Sequence, residues 1–168
     1  MPISSGITVK DECITTFRDK INSVGPSRNV KKMKWMILKV TDDLKEIEIE
    51  SVHDPAKDDS DKSIYEDFRT RLSEKPGPKA DTILPRYGIY KVDYEIPGDI
   101  VRKTDKIVGF SWVPASTQRE LKVVYSTSYE ALKSALGNVQ VSIQADEPSE
   151  VEFKYVLKEC DRTAVNGF

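Results

Sequence analysis

The chain has 168 residues, 38% of them apolar and 32% charged, and a net charge of −2 from 26 basic and 28 acidic side chains. That length and polarity predict one globular domain, residues 1–168, with a real core, well short of a disordered composition. The near balance of charge excludes a protein whose main task is to hold nucleic acid, which needs a broad basic excess.

In chain order, residues 1–6 read as a flexible N-terminal segment. "TVKDECITTFRDKI" then sets Cys13, Ile14, Phe17 and Ile21 on one stripe, which predicts a helix from about Lys10 to Asn22, capped by Thr8 or Asp11. "GPSRN" ends it. "KWMILKV" (Lys34–Val40) is apolar on both faces, as a central strand is. "TDDLK" turns the chain, and "EIEIESV" predicts a strand with Ile47, Ile49 and Val52 inward. "HDPAKDDSD" reads as a solvated loop. Ser63 and Glu66 have capping-box spacing, and Ile64, Tyr65, Phe68 and Leu72 form the stripe of a second helix. "SEKPGPKADTILP" is a connector that three prolines and a glycine keep irregular. "RYGIYKVDYE" and "DKIVGFSWV" are strands joined by a loop around "IPGDIVRKT".

"TQRELKVVYSTS" begins the next helix, Thr127 and Glu130 suggest a fresh cap for "YEALKSAL", and Gly137 is a natural stop. "VQVSIQ" is a strand with Val139, Val141 and Ile143 inward. "SEVEFKYVLKEC" closes with Phe153, Val156, Leu157 and Cys160 at helical spacing, before a tail at 163–168. The elements sum to an α/β fold: a central mixed sheet of about five strands with helices on both faces. Residues placed 100° apart raise one question. Thr117, Leu121, Val124, Tyr125 and Ser128 face a core, whereas Val123 falls on the outer face with Arg119, Lys122 and Ser126. An apolar residue among cations on a solvent face fits a partner-binding helix.

The start, "MPISSGITVKDE", lacks the apolar core of a secretory signal, no run approaches a membrane span, and "TAVNGF" carries no lipidation signal. Cys13 and Cys160 read as buried reduced thiols, and the chain as cytosolic. "VKKMK" reads as a basic approach to a strand, with nuclear import as the alternative. His53 reads as a solvated loop histidine. "GFSWVP" lacks the second glycine of a nucleophile elbow, and there is no phosphate-cradling loop. Asp54, Asp58, Asp59 and Asp61 lack the spacing of a calcium loop, so neither a metal nor a cofactor is expected.

The segments "SSGITVKDECITTF", "RYGIYKVDYE", "DKIVGFSWVP", "LKVVYSTSYEALKSALGNV" and "SIQADEPSEV" stand in an order and at a spacing that resemble the actin-depolymerising factor/cofilin family. The resemblance runs from Ser4 to Arg162. Its most specific parts are Trp112-x-Pro114, then Lys122, Tyr125 and Ser126, then Ala131–Leu132 and Gly137. It implies a mixed sheet flanked by helices. It also implies a monomeric, non-enzymatic protein of the cytoplasm, the actin cytoskeleton and the nucleus. Such a protein binds monomeric and filamentous actin, preferring the ADP state, and severs or depolymerises filaments.

By the same resemblance the contact for monomer and filament comprises Ser4, Ser5, Gly6, Ile7, Arg119, Lys122, Val123 and Ser126. A filament-only surface comprises Lys103, Lys106, Lys158 and Arg162. Ser5, directly before Gly6, stands where many members are phosphorylated, and Arg119, Lys122 and Lys133 stand where phosphoinositide lipids bind. There are departures. Glu120 occupies a position that is usually basic, Thr104 replaces an arginine, the acidic–basic order is swapped at Lys158 and Glu159, and residues 75–86 form an insertion. A filament side-binding structural protein with little severing is the alternative, and an enzyme with a site around His53 or Cys13 is the remaining class.

Overall fold

The structure, a computed structural model, describes residues 7–21, 33–54, 60–73 and 84–161. A six-stranded mixed sheet runs in the order β1-β3-β2-β4-β5-β6. Strand β1 (Thr8–Val9) lies parallel to β3 (Glu46–Val52), and β2 (Trp35–Val40) is antiparallel to both β3 and β4 (Arg86–Ile96). The β4–β5 pair (β5, Arg102–Trp112) is a long hairpin, and β6 (Val141–Ala145) lies parallel to β5. Parallel neighbours need a crossover, which α3 (Arg119–Leu136) provides between β5 and β6. The other helices are α1 (Asp11–Thr16, continued by a π turn to Ile21), α2 (Asp61–Leu72) and α4 (Phe153–Cys160). The expected fold class holds, with one more strand than the sequence indicated, since two-residue β1 is too short to show alternation.

The period of two along each strand divides the interior into two layers. Tyr90, Val92, Val108, Phe110 and Trp112 face α2 and α4, where they pack with Tyr65, Phe68, Val156 and Cys160. Met36, Leu38, Tyr87, Ile89 and Ile107 face the opposite way, onto Cys13, Phe17, Tyr125, Tyr129 and Leu132 of α1 and α3. Strand β2 is buried on both faces, as its apolar run predicts. A register shift between Ile37 and Leu38 makes Glu50 the extra residue of β3, which returns Val52 to the face of Ile47 and Ile49. Cys13 and Cys160 are both buried free thiols, and they lie in different layers. Burial foremost pushes each up to about 11, so neither is a ready nucleophile near neutral pH.

Four local readings are corrected. Helix α1 starts after Lys10, with no side-chain cap from Thr8 or Asp11. Helix α2 starts three residues before the expected box: Ser60 Oγ accepts from the Ser63 N–H at 3.2 Å, so Ser63 is already helical. The two helices read across 117–136 are one, because Thr127 Oγ1 donates to the Val123 carbonyl at 2.8 Å and does not cap. His53 is buried, not solvated. Its N–H donates to the Trp35 carbonyl at 3.1 Å, and its Nδ1 accepts from the Lys34 N–H at 3.0 Å. The aspartates at 58 and 59 lie outside the described residues, as does most of the 75–86 insertion.

Candidate functional site

Helix α3 carries the most distinctive surface. Glu120 sits in its first turn, where a carboxylate favours the helix dipole. Gly137 ends the helix with φ 85°, a left-handed conformation that places its N–H on the Lys133 carbonyl. The inner face is pinned by tyrosines. Tyr125 Oη accepts from the Val40 N–H at 3.0 Å, and Tyr87 Oη donates to the Tyr125 carbonyl at 2.6 Å. The Tyr87 ring stacks on Tyr129 at 5.7 Å, and Tyr129 Oη accepts from Ser142 at 2.8 Å. Burial pushes the Tyr125 phenol up, so it stays a neutral hydrogen-bonding group.

That pinning leaves the outer face of α3 rigid and open. Val123 is 56% exposed while Tyr125 is 4% exposed, as the helical spacing predicts. Arg119 and Ser126 are exposed beside it and Lys122 is partly exposed. Lys133, further along, is committed: it pairs with Glu130 at 2.9 Å and lies over the Tyr129 ring at 4.7 Å. Strand β1 packs beside α3, so the chain enters the described region next to this helix. Ile7 is 5% exposed and packs in the layer beneath α3, so its side chain supports the core. Ser4, Ser5 and Gly6 lie outside the described residues.

The second expected surface is less unified. Lys103 is exposed near the hairpin end, opposite Glu95. Lys106 lies three residues on, at an alternate position and therefore on the other face of the strand. Its Nζ donates to the Cys160 carbonyl at 2.7 Å, at the end of α4. Lys158 is exposed on α4, and Arg162 lies outside the described residues. At the tip between β4 and β5, Ile100 is 82% exposed and Val101 55% exposed. In sequence the tip reads as a loop, and its signal is the adjacent apolar pair beside Gly98 and Asp99. Among the described residues, no group of three or more His, Cys, Asp or Glu side chains is placed to hold a metal.

The family described as cofilin/tropomyosin-type actin-binding protein matches residues 6–161. The chain belongs to the cofilin/actin-depolymerising factor family. It is 34% identical over 159 residues to a cofilin of Gibberella zeae, covering 92% of this chain and 93% of that one. Against a cofilin of Saccharomyces cerevisiae it is 33% identical over 160 residues, covering 95% and 96%. The crystal structure of a Streptomyces griseoflavus cofilin superposes with a TM-score of 0.71 at 28% identity, over 94% of this chain and 99% of that one. For a cofilin-family chain, an exposed valine between cations on a helix held by buried tyrosines is the surface to examine first.

Proposed function

We propose that this protein binds actin monomers and filaments, with preference for the ADP state, and promotes filament severing and depolymerisation at the actin cytoskeleton. The observation that carries the reading is Val123, exposed between Arg119, Lys122 and Ser126 on a helix whose other face is locked. An apolar centre is desolvated on contact, while flanking cations select an acidic partner such as actin and speed encounter. Because α3 is already fixed by Tyr125 and Tyr87, little ordering cost falls on binding. No bond is made or broken; a ligand that binds one filament geometry better than another shifts the filament toward it. Arg119 and Lys122 also suit phosphoinositide headgroups, which would then compete with actin.

The test is co-sedimentation with actin across a range of protein concentrations, measuring soluble and pelleted actin. The expected result is protein in the pellet together with a rise in soluble actin. Pelleting without that rise favours the side-binding alternative, and absence of both monomer and filament binding rejects the proposal.

Two further outcomes are expected. Neutralising Lys103, Lys158 and Arg162 together should lower filament binding and severing far more than monomer binding, because rim attraction is lost away from α3. Equal loss for the two forms of actin would refute a separate filament surface. Ser5→Glu should weaken monomer binding, and Ser4→Glu less so, since a carboxylate before Gly6 would meet an acidic partner. Phosphate would add about −1.5 to −2 charge there, so glutamate should act partially and lose effect as salt screens it. Titration against monomeric actin at low and high salt reads this; wild-type affinity for Ser5→Glu at low salt would remove the tail from the interface.

A further inference from the structure

The last four carbonyls of an α-helix have no partner within the helix, and a lysine ammonium there satisfies one of them and meets the negative end of the dipole. At the end of α4 that lysine comes from another element: Lys106 of β5 donates to the Cys160 carbonyl at 2.7 Å. Helix α4 has only eight residues, and its C-cap Asp161 is extended (φ −165°, ψ 128°), so no left-handed residue closes it as Gly137 closes α3. A helix this short depends on tertiary contacts. Val156 and Cys160 supply buried ones, and the half-buried Lys106 supplies a polar one at the final turn.

We infer that Lys106 is a positioning residue: it holds the C-terminal turn of α4 against β5, and so orients Lys158 and Glu159. The functional part rests on the filament-binding reading above, in which Lys106 belongs to the contact set. That charge-assisted bond uses one of the three N–H donors of the ammonium, so holding α4 does not compete with a second partner.

The Cys160 thiol provides a readout independent of actin, and Cys13, buried in the other layer with Sγ 3.5 Å from the Ile47 carbonyl, is an internal control. Two effects of Lys106→Ala on Cys160 have opposite signs. Burial foremost holds this thiol up at about 11, and the Lys106 charge partly offsets that; removing the charge alone would slow alkylation. Freeing the last turn exposes the sulfur and speeds it.

The experiment is iodoacetamide alkylation of the full chain, followed per cysteine by mass spectrometry, alongside filament co-sedimentation and monomer titration. In Lys106→Ala, Cys160 should react about tenfold faster or more, the scale of a lost hydrogen bond to a charged group, with Cys13 unchanged. Filament binding should fall while monomer binding holds, and Lys106→Arg, which can donate to the same carbonyl, should restore both properties. An unchanged or slower Cys160, or equal acceleration of both cysteines, would overturn the inference. So would a faster Cys160 with intact filament binding, or an arginine variant that protects Cys160 yet fails on filaments. If the wild-type chain binds no filament, the actin reading fails instead, and the Cys160 rate still decides whether Lys106 holds α4.

Discussion

Lys122→Ala is expected to weaken binding to monomeric and filamentous actin by about 1–3 kcal/mol, the scale of an interface hot spot, with the fold intact. The residue sits one position from Val123, partly exposed at the edge of the open face of α3, and is not one of the residues packed in the layer beneath. Among the described residues Lys122 makes no ion pair, so its removal leaves no charge stranded in the folded protein. Alanine is also the best helix former, so α3 loses nothing in propensity. Monomer titration and filament co-sedimentation, run beside thermal unfolding, separate the two effects. Weaker binding at an unchanged melting temperature is the expected pair of results. Wild-type affinity would mean that this face of α3 is not the contact, and the proposed function would lose the observation on which it stands.

The parts of this fold that were legible in the sequence are those where one physical period dominates. Phe68 and Leu72 are four residues apart on one stripe, and both are fully buried. Ile143 and Val156 obey their periods in the same way. Legibility fails where a contact from distant sequence decides. His53 sits in a polar stretch, yet the end of β3 continues into it and pairs it with Trp35. Thr127 has the chemistry of a cap, but packing of α3 across both halves keeps the helix going and turns the hydroxyl back to Val123. Ser60, which caps α2, has no Glu or Gln three residues on, whereas Ser63 has Glu66 and so carries the more complete local pattern.

The candidate site divides along the same line. That Val123 is exposed follows from helical geometry alone. That the surface around it is rigid does not, because Tyr87 comes from β4 and reaches Tyr125 across 38 residues of chain. Ile7 is another case: no local period marks it as buried, yet it stands directly before β1, whose parallel pairing with β3 brings the chain against the core. In sequence, Lys106 is one more cation of the surface that the family resemblance implies. Its role at the end of α4 depends on a strand and a helix separated by 54 residues, which no local pattern reports.

Phe68→Ala is expected to destabilise the fold by about 3–5 kcal/mol while leaving the actin affinity of the folded fraction unchanged. Phe68 is fully buried, with ring centroids of Phe110 at 5.4 Å, Tyr90 at 5.1 Å, Trp35 at 5.7 Å and Tyr65 at 5.9 Å. Beneath it is Gly88, where an added Cβ would stand 2.7 Å from the Phe68 ring, so the ring occupies space that the glycine leaves open. Truncation therefore creates a cavity floored by backbone and walled by stiff rings. Neither relaxes readily to fill it, which places the cost toward the upper part of the range. Denaturant unfolding should show a lower midpoint with an unchanged slope, since the surface exposed on unfolding is nearly the same. A loss below about 1 kcal/mol would mean that the layer collapses around the gap, contrary to its packing. Binding should be spared for a geometric reason. Phe68 lies in the layer of α2 and α4, and the sheet separates it from α3, so Lys122 and Val123 keep their support from Tyr125 and Tyr87.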